Sequence, residues 1–240
     1  MKRALLLLTC AAAVSQGALI NLSNQGFEAG NLSGWTATGD VSAVGLAVIS
    51  AGSNTWTVTP AGSYMAWLNS NDVVVPDLET FFGLTPGTLS GSLPAPGGSG
   101  GPTNGAGIYQ DFSGNAGDTV TMYWAYVARD YVPYNDPAFA VILGPGGLQQ
   151  VTVLASIYSG GITVGSYGAT GWHAFTYALP SAGNYRIGFG VVNTLDSAVD
   201  GALLLDNAAG GLSSGGEIPE PGTFFLLGAG LAAVAFLRRR

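Results

Sequence analysis

The 240-residue chain holds one cysteine, one histidine and seven lysine or arginine residues, and where those few lie excludes more than their scarcity does. Cys10 falls within the apolar stretch Ala4 to Val14, behind Lys2 and Arg3 and ahead of the small residues Ser15-Gln16-Gly17-Ala18. That is the three-part plan of a secretory signal peptide, with cleavage after Gly17 or Ala18 and residues 1–18 as the leader. A competing reading of Leu7-Leu8-Thr9-Cys10 as a lipoprotein cleavage site is weaker, because Thr9 is a poor neighbour for the cysteine and the apolar core ahead of it is very short. Loss of Cys10 with the leader removes thiol and disulfide chemistry, so packing or metal must stabilise the body. His173, the only histidine, cannot build a His-rich zinc site in one chain. It alternates with Trp172 and Ala174 in a strand-like run and reads as a hydrogen-bonded strand residue.

Basic residues are nearly absent from the body. Between residues 19 and 216 only Arg129 and Arg186 face twelve carboxylates, a surplus of ten negative charges. Nucleic acid is excluded as a partner, since affinity for phosphate backbones rests on lysine and arginine. Neutral sugars and cations are the better candidates.

Glycine is abundant, yet the apolar and aromatic residues are too many and too regular for disorder. Val120, Met122, Trp124 and Tyr126 alternate with polar or small residues, as strands require. The same period places Val151, Val153, Ala155 and Ile157 on one face, and Tyr185, Ile187, Phe189 and Val191 on another. Further strands are expected at Val41 to Ile49, Trp56 to Thr59, Tyr64 to Leu68, Gly107 to Phe112, Ala138 to Leu143, Gly171 to Ala178 and Ala202 to Asp206. Turn-forming runs such as Gly144-Pro145-Gly146-Gly147 separate them. No amphipathic helix stands out, Gly83 to Gly105 reads as a long exposed loop, and residues 210–216 read as a flexible linker. The expectation is an all-β sandwich or jelly roll over residues 19–209.

After residue 216 the pattern changes. Pro219-Glu220-Pro221 precedes the uncharged apolar stretch Gly222 to Leu237, which ends in Arg238-Arg239-Arg240. At ~1.5 Å per residue that stretch falls just short of a ~30 Å hydrocarbon core, so it makes a short transmembrane helix. The arginines stay on the cytoplasmic side and leave the preceding chain outside. Gly228, Gly230, Ala232 and Ala233 would let another helix approach closely. An ordinary anchor would give Pro219-Glu220-Pro221 no role. The order of the three parts over residues 217–240 resembles the PEP-CTERM sorting tail of bacterial exported proteins, which implies recognition and processing by a membrane-embedded exosortase.

Asn24-Gln25-Gly26-Phe27-Glu28 through Trp35 resembles the first strand and turn of galactose-binding-like jelly rolls, the fold of many carbohydrate-binding modules. Leu203-Leu204-Leu205-Asp206-Asn207 resembles their last strand, with Ala208 where a β-branched residue usually follows. The resemblance implies a structural calcium ion held by Glu28 and Asp206, with backbone carbonyls or Asn24 completing its six to eight oxygens. The alternative is a solvated Glu28 and an Asp206 that hydrogen-bonds a turn. The run Asp130 to Asp136, with Gly188 to Asn193, resembles recurrent modules of PEP-CTERM proteins. Within it Tyr131, Tyr134, Asn135 and Asp136 are candidate ligand-binding residues. Asp130, Asn135 and Asp136 lack EF-hand spacing, and Asp and Asn are also ordinary turn formers.

Catalytic constellations are missing. Gly97-Gly98-Ser99-Gly100-Gly101 matches a nucleophile elbow in letters only, since it lacks the strand before and the helix after. A carboxylate pair such as Glu28 and Glu79 is the one hydrolytic arrangement the letters permit. Exposed aromatic faces are the better lead, because sugar rings stack on them. The expectation is an exported, non-enzymatic surface or matrix protein associated with exopolysaccharide or biofilm, against the alternatives of a purely structural envelope protein or a carbohydrate-active enzyme.

Overall fold

The structure, a computed structural model, describes residues 17–94 and 100–215. The leader up to residue 16, Ser99 of the elbow-like run and the sorting tail with its apolar stretch 222–237 lie outside the described residues. Among the described residues the strands are β1 Leu19–Ile20, β2 Thr36–Thr38, β3 Val41–Val44, β4 Ala47–Ala51, β5 Asn54–Thr59, β6 Met65–Asn69, β7 Val73–Val74 and β8 Pro102–Gly114. They continue with β9 Thr119–Val127, β10 Ala138–Gly144, β11 Leu148–Ser156, β12 Ile162–Thr163, β13 Ala169–Ala178, β14 Gly183–Thr194, β15 Ala202–Asp206 and β16 Gly211–Ser214. Two helices, α1 Val75–Phe82 and α2 Thr88–Ser92, interrupt the series.

The strands form a six-stranded sheet, a seven-stranded sheet and a three-stranded sheet. In the first, β9 is the centre: antiparallel β13 lies along one side, while β15 and the parallel β1 lie in tandem along the other. In the second, β14 runs antiparallel between β8 and β10. Val120, Met122, Trp124 and Tyr126 of β9 meet Tyr185, Ile187, Phe189 and Val191 of β14 in the central core, as their period of two requires.

Both sheets are covered on their outer faces as well. The three-stranded sheet lays Ala47, Ile49 and Val58 on Ala125, Val127 and Leu204 of the six-stranded sheet. Leu78, Phe82 and Leu89 of the helical segment cover Phe139, Val141 and Val192 of the seven-stranded sheet. This four-layer stacking explains why Ala202–Asp206 is buried at every position and shows no alternation.

The helices correct the expectation of a helix-free body and of an exposed loop from Gly83 to Gly105. Pro76 sits in the first turn of α1, and Gly83 ends it in the left-handed region at φ 80°. Leu84, Leu89 and Leu93 are buried, and β8 already begins at Pro102. Glycine at Gly107 and Gly188 lets the Phe82 ring sit directly on the sheet, since a Cβ there would lie 2.5 and 2.7 Å from ring carbons.

Four further differences have local causes. The expected strand from Val41 to Ile49 is two, broken at Gly45-Leu46, so that its second half joins a different sheet. A register shift where Ala138 pairs Ala155 and Phe139 pairs Val153 is a β-bulge that separates the expected row. Val151 and Val153 pack under the helices, while Ala155 and Ile157 enter the central core. Residues 211–214, expected as linker, pair with β5. Residues 24–35, expected to open with a strand, are a series of turns that buries Phe27 against Trp35.

Phe82→Ala removes the ring that fastens the helical segment to the sheet. It should cost about 3–5 kcal/mol in urea denaturation. A loss under about 1 kcal/mol would contradict this packing.

Candidate functional site

The loop from β9 to β10 carries the candidate aromatic residues. Tyr131 is 45% exposed and Tyr134 is half-buried, with ring centroids 5.5 Å apart in an edge-to-face pair. The Tyr167 ring stands 5.9 Å from that of Tyr131 and extends the apolar ledge. The adjacent Val132 is exposed too. The Val132–Pro133 peptide bond is cis.

Beneath the ledge lie the polar residues that hold it. Asn135 is fully buried; its carbonyl oxygen accepts the N–H groups of Tyr158 and Ser159 at 2.9 and 3.0 Å, and its amide donates to the Ser159 carbonyl at 2.8 Å. Asp130 accepts the Tyr131 N–H at 2.8 Å, and the Tyr167 N–H donates to the Asp130 carbonyl at 3.0 Å. Asp136, 1% exposed, accepts the Thr194 N–H at 2.8 Å, while the Tyr126 hydroxyl donates to its backbone carbonyl. The loop therefore brings Tyr131 and Tyr134 to the surface, whereas Asn135 and Asp136 are placed underneath them.

Burial, with the negative charges of Asp130 and Asp196 added, pushes the Asp136 carboxyl up to about 8 against the opposing Thr194 N–H. Burial, aided by Asp196, raises that of Asp130 as well. The Asp136 Oδ2 and Thr194 Oγ1 atoms are buried without a hydrogen-bond partner.

Glu28 and Asp206 also come together. Glu28 accepts the Ser63 N–H at 3.0 Å and the Tyr64 N–H at 3.2 Å. Asp206, fully buried, accepts those of Ala61 at 2.8 Å and Asn207 at 2.6 Å. Burial chiefly, with the nearby Glu28 charge, raises the Asp206 carboxyl. The two side chains thus converge on one loop, but no group of three or more His, Cys, Asp or Glu among the described residues could hold a metal ion. Any calcium there would draw most of its oxygens from backbone or water.

Glu79, the other half of the hydrolytic pair, is buried and turned into α2, accepting the N–H groups of Gly87 and Leu89 at 2.7 Å each. Glu28 and Glu79 serve different loops. His173 bonds the Thr170 carbonyl at 3.1 Å and stands against Trp124, as a strand residue would.

Sequence reasoning missed two clefts. One, of about 630 Å³, lies beside the bidentate pair of Arg186 with Asp111, at 2.7 and 2.8 Å. The guanidinium stacks 3.5 Å over the Tyr109 ring and donates to the last carbonyls of α1, so this arginine pins helix to sheet. Its scarcity as one of two basic residues was the available signal. The other cleft, of about 380 Å³, sets Tyr123 beside Asn21, Gln25 and Asn207. Those residues come from separate segments, which only the fold unites.

The chain is thus a sandwich of stacked sheets whose described body carries an aromatic ledge. Residues 217–240 match the family model of the PEP-CTERM protein-sorting motif, which marks an exported protein with an exosortase-processed tail. No curated protein matches the chain. Its structural neighbours are mainly carbohydrate-binding-module β-sandwiches. TmCBM61, solved with β-1,4-galactotriose, is 13% identical, with a TM-score of 0.40 over 80% of this chain and 95% of that one. The xylan-binding domain from CBM 22 is 14% identical, with a TM-score of 0.33 over 78% and 90%. The enzymatically active domain of bacteriophage CBA120 tailspike protein 4 is 17% identical, with a TM-score of 0.34 over 80% and 21%.

The raised Asp136 carboxyl gives a pH signature. Between the unfolded value of 3.8 and the folded value of about 8 the folded state holds the extra proton. This group's contribution to stability is therefore full at acid pH and is lost as pH rises to about 8. Asp136→Asn should reduce the fall in melting temperature between pH 5 and pH 8. An unaltered pH profile would show that Asp136 does not titrate in this way.

Proposed function

We propose that the protein is a non-enzymatic surface or matrix component that holds neutral extracellular polysaccharide through Tyr131 and Tyr134. The observation that carries this reading is the exposed edge-to-face tyrosine pair seated on a buried polar loop. Flat aromatic faces bury the apolar face of a sugar ring without needing charge, and an acidic body disfavours anionic polymers. Asn135 and Asp136 act beneath the ledge by fixing its backbone. Export follows from the sorting tail; retention in the biofilm matrix is what polysaccharide binding would add.

Affinity electrophoresis through gels containing neutral exopolysaccharide tests the reading. Tyr131→Ala with Tyr134→Ala should abolish retardation, at least a tenfold loss of affinity, while leaving the melting temperature unchanged. Loss on Tyr123→Ala instead would move the site to the smaller cleft and overturn the ledge assignment.

Calcium between Glu28 and Asp206 is a second proposal, supported by two carboxylates meeting at one loop with no cationic side chain among the described residues in hydrogen-bonded contact. A bound ion would relieve their repulsion and join the start of the body to its last central strand. A chelator should then lower the melting temperature by several degrees. An unchanged midpoint would leave the loop to its backbone hydrogen bonds alone.

A further inference from the structure

Asp118 closes the turn between β8 and β9 and is 8% exposed. Its Oδ2 accepts the Asn115 N–H at 2.8 Å, and its Oδ1 accepts the N–H of Ala18 at 2.8 Å. These two bonds, Asn115 first, hold its carboxyl below the ordinary aspartate value. It is therefore a nearly buried carboxylate that keeps its charge. Yet the described body contains only two arginines, one bonded to Asp111 and the other to the Ser50 carbonyl. Buried carboxylates are costly without a counter-charge.

The Ala18 nitrogen already donates to this carboxylate, and as a free N-terminus it would supply a counter-charge. The Ala18 carbonyl accepts the Thr119 N–H at 2.9 Å, and Leu19 and Ile20 then pair with Thr119 and Val120. Ala18 thus belongs to the folded body through both of its backbone groups. The sequence singles out the same bond: cleavage between Gly17 and Ala18 places small residues, Ser15 and Gly17, at both positions that a signal peptidase reads. Cleavage after Ala18 would put Gln16 at one of them and discard the groups that Asp118 and Thr119 bind.

We propose that the leader is removed between Gly17 and Ala18 and that the new α-ammonium of Ala18 docks on the Asp118 carboxylate as the permanent N-terminal anchor of the domain. Hydrolysis by a membrane-bound signal peptidase adds one water across the peptide bond, leaving a carboxylate on Gly17 and an amine on Ala18 that is protonated at neutral pH. A hydrogen bond from a neutral amide becomes one from a cation, which is stronger. Export and the completion of the fold are then one event: the leader's departure creates the charge that the turn lacks. The inference rests on the chain being exported, and its test separates the two.

The full chain, expressed with its own first residues in a bacterial host, is digested and its N-terminal peptide read by mass spectrometry. A peptide beginning at Ala18 is expected. One beginning at Leu19 or later overturns the inference but leaves export intact, and one beginning at Met1 overturns both. Docking is tested by placing Asp118→Asn in the exported chain and in a variant with Gln-Gln inserted between Gly17 and Ala18, which keeps Ser15 and Gly17 as the small-residue pair and moves the ammonium away. Asp118→Asn should lower the melting midpoint by at least ~2 °C more in the native-length protein than in the extended one. Equal shifts in the two backgrounds would show that Asp118 acts only on the Asn115 turn.

Discussion

Carboxylates that accept backbone N–H groups are the interaction on which this molecule depends. With two arginines in the body, its acids cannot be paired by side chains, and Arg186 with Asp111 is the one ion pair among the described residues. Most of the other acids accept main-chain N–H groups. Glu79 holds the start of α2, Glu28 and Asp206 hold the loop after β5, and Asp118 holds a turn and the N-terminal strand. A carboxylate has about four acceptor sites and no donor, so it can close a loop that offers unpaired N–H groups, and each such bond is charge-assisted. Disulfides serve that purpose in many exported domains; here the acids do.

Side-chain bonds to the main chain also place the aromatic ledge. Four stacked layers bury both faces of the central strands and leave the loops at their ends exposed to solvent. The loop from β9 to β10 is fixed by Asp130, Asn135 and Asp136, whose bonds are spent on backbone and whose burial leaves the tyrosines at the surface. Polar residues there give the loop its shape, and apolar ones give it a contact face. Fixing the loop before binding lowers the entropy cost of ordering it on a ligand.

Much of this was legible in the residues. Alternation in β9 and β14 named the central core residue by residue, because a strand's period of two survives wherever one face is wet or the partner sheet is regular. The sorting tail was legible for a different reason: its three parts are contiguous and need no folding to be recognised. What escaped reading was whatever a distant segment decides. Pro76 and Gly83 bracketed α1 in plain view, but eight residues behind a valine run give too little periodicity to outweigh the β-branched signal. The bulge in β11 is set by its partner strand. For the proposed site, the sequence named two tyrosines that the structure pairs on the loop from β9 to β10, Tyr131 exposed and Tyr134 half-buried. It could not separate surface from support at Asn135 and Asp136, since polar residues are expected outside and these are inside with partners.

Amide hydrogen exchange on the purified protein at neutral pH, with a chelator present, tests the role of the acids most directly. Ala61, Gly87 and Leu89 lie outside every strand ladder, and their N–H groups are bonded to Asp206 and Glu79. These amides should be protected at neutral pH, and Glu79→Ala should release Gly87 and Leu89 while Asp206→Ala releases Ala61, with amides of β9 and β14 remaining slow. Unprotected exchange of all three at neutral pH would contradict that role.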